Sequence, residues 1–477
     1  MSGFPPIVLR TAADPGESVP VIVVGAGAAG LTAALALRDL GVEVAVLERD
    51  PAAQGSTALS SGFVPAAGTR AQQRRGIADS PELFIRDLQA KSKGLAEPHL
   101  VHALAHGIGP ALDWLAERHG VPFEVVEGFL YPGHSVLRMH GTPRRTGADL
   151  MDCLRRAAEE AGADLLTKAH VHALLADAEG RIRGVRIDRP DGSTETLGCR
   201  ALVLACSGFG GNPEMVRRYI PEMAGALFFG HAGNTGDAVL WGEALGASLR
   251  DMSAYQGHGS VATPSNILIT WALMMEGGFQ VNASAQRFSD ENQGYSEQSI
   301  AVLAQPGAVA WSIYDQRLHE LGLGFEDYRS AVAAGAIKSA ATIEGLAAVL
   351  GLAPKELAAT LAETQDPAVR ALPDRFGRRL AGKPPLAAPY YGVKVTGALF
   401  HTQGGLLVDE QARVLRTGGA PLPNLFAAGG AACGVSGPAV WGYLSGNGLL
   451  AAVGLGRIAG LSAAGTAAGA ARAPAGR

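Results

Sequence analysis

Neither sign of charge dominates this sequence. Forty Lys and Arg stand against 44 Asp and Glu, a formal net charge of −4. That balance offers no basic face for a nucleic acid. Cysteine is scarce. The four, Cys153, Cys199, Cys206 and Cys433, form no C-x-x-C pair and no haem-attachment motif. They read as small buried apolar residues, not as a disulfide framework or a metal centre. The opening MSGFPPIVLRTAADPGES does not pass from basic to apolar, so no signal peptide is expected and a cytoplasmic location is the default. No internal repeat is present. One uncharged run, Val19 to Leu37, is long enough to span a membrane on hydropathy alone. Pro20 and three glycines break it where a strand-to-helix turn belongs, and no membrane span is expected.

Glycine, by contrast, is plentiful, at 64 of 477 residues. This suits a backbone that often comes close to a ligand. A chain of this length implies two domains. Its organising stretch is Val19 to Asp50. Val21 to Val24 reads as a buried parallel strand. Gly25, Gly27 and Gly30 follow in the order G-x-G-x-x-G, then an apolar helix from Ala28 to Leu40 and a second strand from Val42 to Leu47. Gly25 makes the tight turn, Gly27 admits a pyrophosphate, and Gly30 lets helix and strand pack closely. The helix N-terminus offers free N–H groups to phosphate. Glu48, at the end of the second strand, can accept both ribose hydroxyls of an adenosine. A dinucleotide site is expected.

Downstream, Gln54 to Gly62 is a loop of small hydroxyl residues and glycines that either contacts the ligand or is plain surface. Residues 80 to 120 and Thr146 to Ala161 read as helices. Leu165 to Asp188 reads as a hairpin turning at Glu179–Gly180, and Ala201 to Asn212 as a buried strand running into glycines. A helix through Leu245 follows Asn234 to Asp237, with Thr235 or Asp237 as its cap. From Tyr255 to about Ala388 the texture changes to separate helices. Val393 to Leu415 then reads as paired strands, Pro423 to Gly430 as a last strand, and Ser445 to Gly460 as a glycine-opened helix. The expected fold is α/β: a Rossmann-like dinucleotide domain from 18–254 and 389–461, an inserted α+β cap from 255–388, and a frayed tail from 462–477.

Taken together and in order, GAGAAG with Glu48, the Gly55–Gly62 loop, SGFGGN, NTGDAVLWGEALGA, VNASAQRFSDE, HTQGGLLVD, NLFAAGG and GNGLLAAVGLGRIAG resemble the flavoprotein family of fumarate reductases and 3-ketosteroid dehydrogenases. The resemblance covers nearly the whole chain. It implies FAD, a mobile cap, and hydride transfer at a carbon beside an activated C–C bond. Carried over residue by residue, it assigns Gly25, Ala26, Gly27, Ala29, Gly30, Glu48 and Arg49 to the cofactor. Gly55, Ser56, Thr57, Ser61, Gly62, Val171, Ser207, Gly208 and Asp237 join them, as do Gly429, Gly430, Asn447, Gly448, Leu449 and Leu450. Many relatives bind flavin covalently through a histidine in the loop after the ribose acid. Residues 54–62 contain none, so the FAD is expected to be noncovalent. Gly430 replaces the glutamate that ends the last strand in many relatives.

The branch turns on two positions. Where soluble fumarate reductases carry a proton-delivering arginine, four residues after the glutamate of R-F-x-x-E, this sequence has Tyr295. Where a second arginine binds substrate carboxylate, it has Tyr443, followed by Ser445. A dianion in a closed pocket needs paired cations, and tyrosine offers only a neutral hydrogen bond. Two tyrosines suit a ketone. The resemblance to ketosteroid dehydrogenases implies Tyr295 as the base for the α-proton and Tyr443 with Ser445 as the holder of the keto oxygen. A tyrosine base needs its pKa, ordinarily near 10, lowered, or oxidation is favoured at alkaline pH. His401 points the other way, because HTQGG is closer to the fumarate-reductase version, whose histidine holds a carboxylate. A ring ketone bearing a carboxylate, such as an oxocyclohexanecarboxylate, reconciles the two.

His258 falls near where the resemblance places a substrate histidine but reads as structural, Tyr131 as a packed aromatic or a pocket wall, and Arg138 as a surface arginine or a charge for an acidic substrate. The expected activity is FAD-dependent desaturation of the C–C bond α,β to a ketone. The electron acceptor is left unassigned, and no metal or nucleic-acid partner is expected. Reduction of an unsaturated carboxylate is the alternative within enzymes, and a flavin-binding protein without catalysis is the alternative outside them.

Overall fold

A computed structural model describes residues 7–13, 15–380 and 382–472. Two sheets organise them. The first has nine strands. Its centre is Ser18–Val24, whose Val21, Ile22 and Val23 are wholly buried. Parallel neighbours flank it, with Val44–Leu47 on one side (Val21 opposite Val44) and Thr194–Leu204 on the other (Ile22 opposite Leu202). The last strand, Pro421–Ala427, joins the far edge of Thr194–Leu204, also in parallel. Parallel strands buried on both faces read as continuous apolar runs, which is why these strands are legible as short blocks of Val, Leu and Ala.

The helix Ala28–Asp39 covers one face of this sheet and is itself covered by the final helix, Asn447–Arg472. The two backbones come very close. A Cβ on Gly456 would lie 2.5 Å from the Ala29 carbonyl oxygen, and one on Gly460 would lie 2.5 Å from that of Ala33. The expected frayed tail is therefore helical as far as Arg472, and Ala463, Ala464 and Ala467 are buried. Residues 473–477 lie outside the described residues. By length and composition this helix could cross a membrane, but most of its apolar window is packed inside the protein. The stretch Val19–Leu37, which hydropathy alone could assign to a membrane, is strand, turn and helix.

The second sheet has seven strands. Its spine is Tyr390–Thr402, which pairs antiparallel with Tyr255–Ala262 and with Val309–Asp315. The sequence reading placed the return to the dinucleotide domain at residue 389. This strand instead stays in the second sheet to Thr402, and even Leu227–Phe228 joins it. The pairing read within Val393 to Leu415 holds only at the turn Glu410–Gln411, where Val408 bridges Val414, whereas Gly405–Leu406 pairs with Leu249–Arg250. A strand carrying alternate buried residues fits either sheet, and only its distant partners decide.

Candidate active site

Where the two sheets meet, a cleft of about 270 Å³ runs from Glu48 to the tyrosines. The Glu48 end is built by the first turn. Gly25 adopts φ +101°, a region that costs a side-chain-bearing residue dearly. The Glu48 carboxylate is pinned from both sides. Its Oε2 accepts the Ala26 N–H at 2.8 Å and its Oε1 accepts the Asp50 N–H at 3.0 Å, leaving a lone pair on each oxygen for a diol. Gly27 caps the helix with no side-chain bond, and a Cβ there would meet only the Thr57 hydroxyl, at 3.8 Å. A bare helix N-terminus facing an open channel beside an anchored acid fits the diphosphate and ribose of a dinucleotide.

Gly55–Ala58 is a short helix, not a plain surface loop. The Thr57 hydroxyl accepts the Ala28 N–H at 3.3 Å, and the Gly147 N–H donates to the Ser60 carbonyl at 2.7 Å. The cleft wall includes Gly25, Gly27, Ala29, Glu48 and Arg49. It continues through Gly55, Ser56, Thr57, Ser61 and Gly62, then Val171, Ser207 and Asp237, and ends at Gly429, Gly430, Gly448 and Leu449. Five residues assigned to the cofactor from the sequence lie behind this wall. Ala26 and Leu450 are fully buried, and a Cβ on Gly30 would lie 1.9 Å from the Gly25 carbonyl oxygen. Gly208 packs on Thr402, and Asn447 donates to Ser436. They support the cradle from below because the same glycine spacing serves both close packing and ligand approach. The sequence reading missed His231 and Asn234, which reach the wall from the second half of the dinucleotide unit. The Ser56 hydroxyl accepts the His231 backbone N–H at 3.0 Å and the Asn234 amide at 2.7 Å.

At the other end, Tyr295, Tyr443, Ser445 and His401 come together from three elements. Tyr295 opens the helix Tyr295–Leu303 of the second unit. Tyr443 and Ser445 lie in the turn before the final helix, and His401 lies near the end of the spine strand. The Tyr295 and Tyr443 ring centroids are 6.1 Å apart, and those of His401 and Tyr443 are 5.6 Å apart. Burial pushes the Tyr295 phenol up to about 12, although hydrogen bonds from the Ser445 and Tyr443 hydroxyls pull the other way. The expected depressed tyrosine is therefore a firmly protonated phenol. Tyr443 is raised further, chiefly by burial.

His258 is no remote structural residue. Its ring stacks on Tyr295 at 4.7 Å and faces the cleft. Its Nδ1 accepts the Ser260 N–H at 3.1 Å, which leaves the proton on Nε2. Burial lowers its pKa to about 3 and that of His401 to about 4. Both imidazoles are neutral near pH 7.

The aromatic walls are Phe63, Tyr131, Trp271, Phe325 and Phe400. Tyr131 thus faces the cavity. Arg138 does not. It is buried and paired with Asp79 at 2.9 Å and with Asp87. Among the described residues lining the cleft, Arg49 is the one Lys or Arg, and it stands at the far end beside Asp50. Asp327, on the helix Glu326–Ala333, marks the rim. It is open to the cleft but enclosed by protein elsewhere, which lifts its carboxyl to about 6. The Arg287–Glu291 pair of the R-F-x-x-E motif is buried with Arg378 and Asp374 and serves as a structural node.

These features agree with what the chain resembles. Residues 20–449 match the model of the FAD binding domain family. The probable fumarate reductase Ifc3 of Shewanella frigidimarina (strain NCIMB 400) is 32% identical over 95% of this chain and 76% of its own length. Among solved structures, the open conformation of a flavocytochrome c3 fumarate reductase superposes with a TM-score of 0.80 at 32% identity, over 96% of this chain and 80% of that one. The 3-ketosteroid-delta4-(5alpha)-dehydrogenase from Rhodococcus jostii RHA1, in complex with 4-androstene-3,17-dione, gives 0.75 at 26% identity, over 97% and 100%. With its pinned ribose acid, bare helix N-terminus and whole-length match, the chain belongs to the FAD-binding family that contains the fumarate reductases, and is an FAD-dependent oxidoreductase.

Proposed function

We propose that this oxidoreductase acts on the C–C bond α,β to the carbonyl of an uncharged ring ketone, with FAD held noncovalently. The observation that carries this reading is the tyrosine end of the cleft. It holds three hydroxyls, two neutral imidazoles and aromatic walls, with no Lys or Arg among the described lining residues nearby. A carboxylate substrate there would lose its hydration without a compensating cation. A carbonyl oxygen needs only a neutral hydrogen-bond donor, and the Nε2–H of His258 supplies one, the Tyr443 O–H being directed to Tyr295.

FAD, when bound, supplies the two-electron acceptor or donor for this bond. The chain supplies the proton chemistry. Tyr295 exchanges the α-proton, and the Tyr443 and Ser445 hydroxyls stabilise its oxygen when it is ionised. Because the phenol is protonated at neutral pH, it acts most readily as an acid, in saturation of an enone. Desaturation, in which it must first lose its proton, gains with rising pH. The walls exclude water from the ionised intermediate state of the substrate. Residues 255–388 with the spine strand act as the cap.

A second reading, reduction of an unsaturated carboxylate, is favoured by the reductase relative and by His401 at the site. One anaerobic experiment separates the two. Oxidised holoenzyme is mixed with a 3-ketosteroid, cyclohexanone and 4-oxocyclohexanecarboxylate, and dithionite-reduced enzyme with 2-cyclohexenone and fumarate. Bleaching by a neutral ketone at alkaline pH, with reoxidation by cyclohexenone, supports the proposal. Reoxidation by fumarate and not by cyclohexenone overturns it.

A further inference from the structure

The turn Tyr131–His134 has two faces. Tyr131 enters the cavity, and His134 passes behind it. Within the turn the His134 N–H donates to the Tyr131 carbonyl at 3.2 Å. Gly133 has φ +84°, and a Cβ on it would strike the Leu444 side chain at 2.6 Å, so the turn lies against the residue between Tyr443 and Ser445. The His134 Nε2 is 2.9 Å from the Ser445 carbonyl oxygen, and its Nδ1 is 3.3 Å from Arg138 Nη1.

Both ends fix the same tautomer. A guanidinium can only donate, so Nδ1 accepts. A carbonyl can only accept, so Nε2 carries the proton. Arg138 is held in turn by Asp79, through Nε at 3.0 Å and Nη2 at 2.9 Å, and by Asp87 through Nη1. Asp87 also accepts the Ser135 N–H at 2.8 Å, and the guanidinium lies over the Phe84 ring at 4.6 Å. His134, Arg138, Asp79 and Asp87 are buried side chains, and the one guanidinium serves both carboxylates.

We infer that His134 is a positioning residue, clamped by Arg138, that sets the turn carrying Tyr443 and Ser445 and so holds both hydroxyl residues beside Tyr295, whose ring lies 6.1 Å from that of Tyr443. The inference rests on the proposed role of Tyr295. The clamp comes from the first unit, whereas Tyr295 comes from the second. Without the bond to the Ser445 carbonyl, the turn relaxes and the two donors drift from the phenol. The remaining groups that face Tyr295 are Tyr131, His258 and Glu297. None of them can replace a hydroxyl donor to its oxygen. Tyr131 is itself a buried phenol, the His258 ring lies parallel to it, and Glu297 is acidic.

Three variants test this on the FAD-loaded enzyme. In His134→Gln the amide nitrogen stands where Nε2 stands, so the bond to Ser445 is kept. In His134→Asn the side chain reaches only the Arg138 position, and in His134→Phe both bonds are lost. With a ketone that turns over, H134N and H134F should lower kcat by at least about tenfold, with KM within about twofold, and H134Q should recover most of the rate. A second readout needs no substrate. With 3-fluorotyrosine incorporated, whose phenol ionises at lower pH, the 19F signal of Tyr295 is assigned by its loss in Y295F and titrated. Its midpoint should rise by about half a unit or more in H134N and H134F and stay in place in H134Q. If H134N and H134Q match in both kcat and midpoint, or if all three match the parent, the inference is wrong. If no ketone reacts with any form, the ketone reading fails while the 19F comparison still decides the role of His134.

Discussion

A single proton governs the residue scale. Tyr295 is pushed up to about 12 by burial. Below that value each pH unit raises the ionised fraction about tenfold. Desaturation measured with an artificial acceptor should therefore accelerate by nearly tenfold per unit between pH 7 and 9, whereas enone saturation should not rise. Tyr295→Phe should lower either rate by about 10²- to 10⁴-fold with the flavin spectrum unchanged, as stopped-flow bleaching would record. At the rim, Asp327 repels anions once ionised above about pH 6. Asp327→Asn should raise kcat/KM for 4-oxocyclohexanecarboxylate several-fold and leave cyclohexanone unaffected. Tyr295 and Tyr443 are legible as site candidates in the sequence because each occupies a register position within a local motif. The clamp behind them is not. His134 and Ser445 are 311 residues apart, and Arg138 looks like a surface arginine until Asp79 and Asp87 close around it.

The turn and its two helices set the element scale. The glycine turn, its strand and the acid at the end of the next strand were readable because they follow one another within about thirty residues, the Ala26 N–H donating to Glu48 itself. Helix boundaries were readable where a cap announces them, as Thr146 does by accepting the Asp149 N–H at 3.2 Å. The assignment of Tyr390–Thr402 to the second sheet was not, because alternation names a buried face without naming the partner strand. The glycines of the final helix have a packing use that composition alone conceals. Gly456→Ala would press a methyl into the Ala29 backbone, and overpacking of this kind costs about 1–3 kcal/mol. The melting temperature of the apoprotein should fall, and FAD should bind more weakly, because Ala29 lines the cofactor cleft.

Four histidines kept neutral by burial set the pH response of the whole molecule. His134, His140 and His401 are lowered to about 4 and His258 to about 3. Unfolded, each would titrate near 6.5. Below that pH the unfolded chain binds more protons than the folded one, so stability is full above about 6.5 and falls as pH drops toward 4. One unit below the unfolded pKa, each contributes a loss of about 1 kcal/mol. Thermal melts of the holoenzyme should show a steep decline between pH 7 and 5, and proton uptake on unfolding at pH 5.5 should approach four. A second molecular trait is the ion pair of Lys91 with Glu297, between helices of the two units. Glu297 lies two residues after Tyr295 on the same helix. Lys91→Met should loosen the two units and lower kcat, with the loss visible as faster proteolysis of the free enzyme.

The packing of Ala28–Asp39 under Asn447–Arg472 has a bearing on how this protein is made. The helix that backs the first glycine turn follows it by roughly 400 residues of sequence. Until Asn447–Arg472 has been synthesised, the apolar strand and helix of that turn have no cover. Cofactor loading therefore waits for that helix, and until then the nascent chain carries an unsheltered hydrophobic surface for which chaperones and neighbouring nascent chains compete.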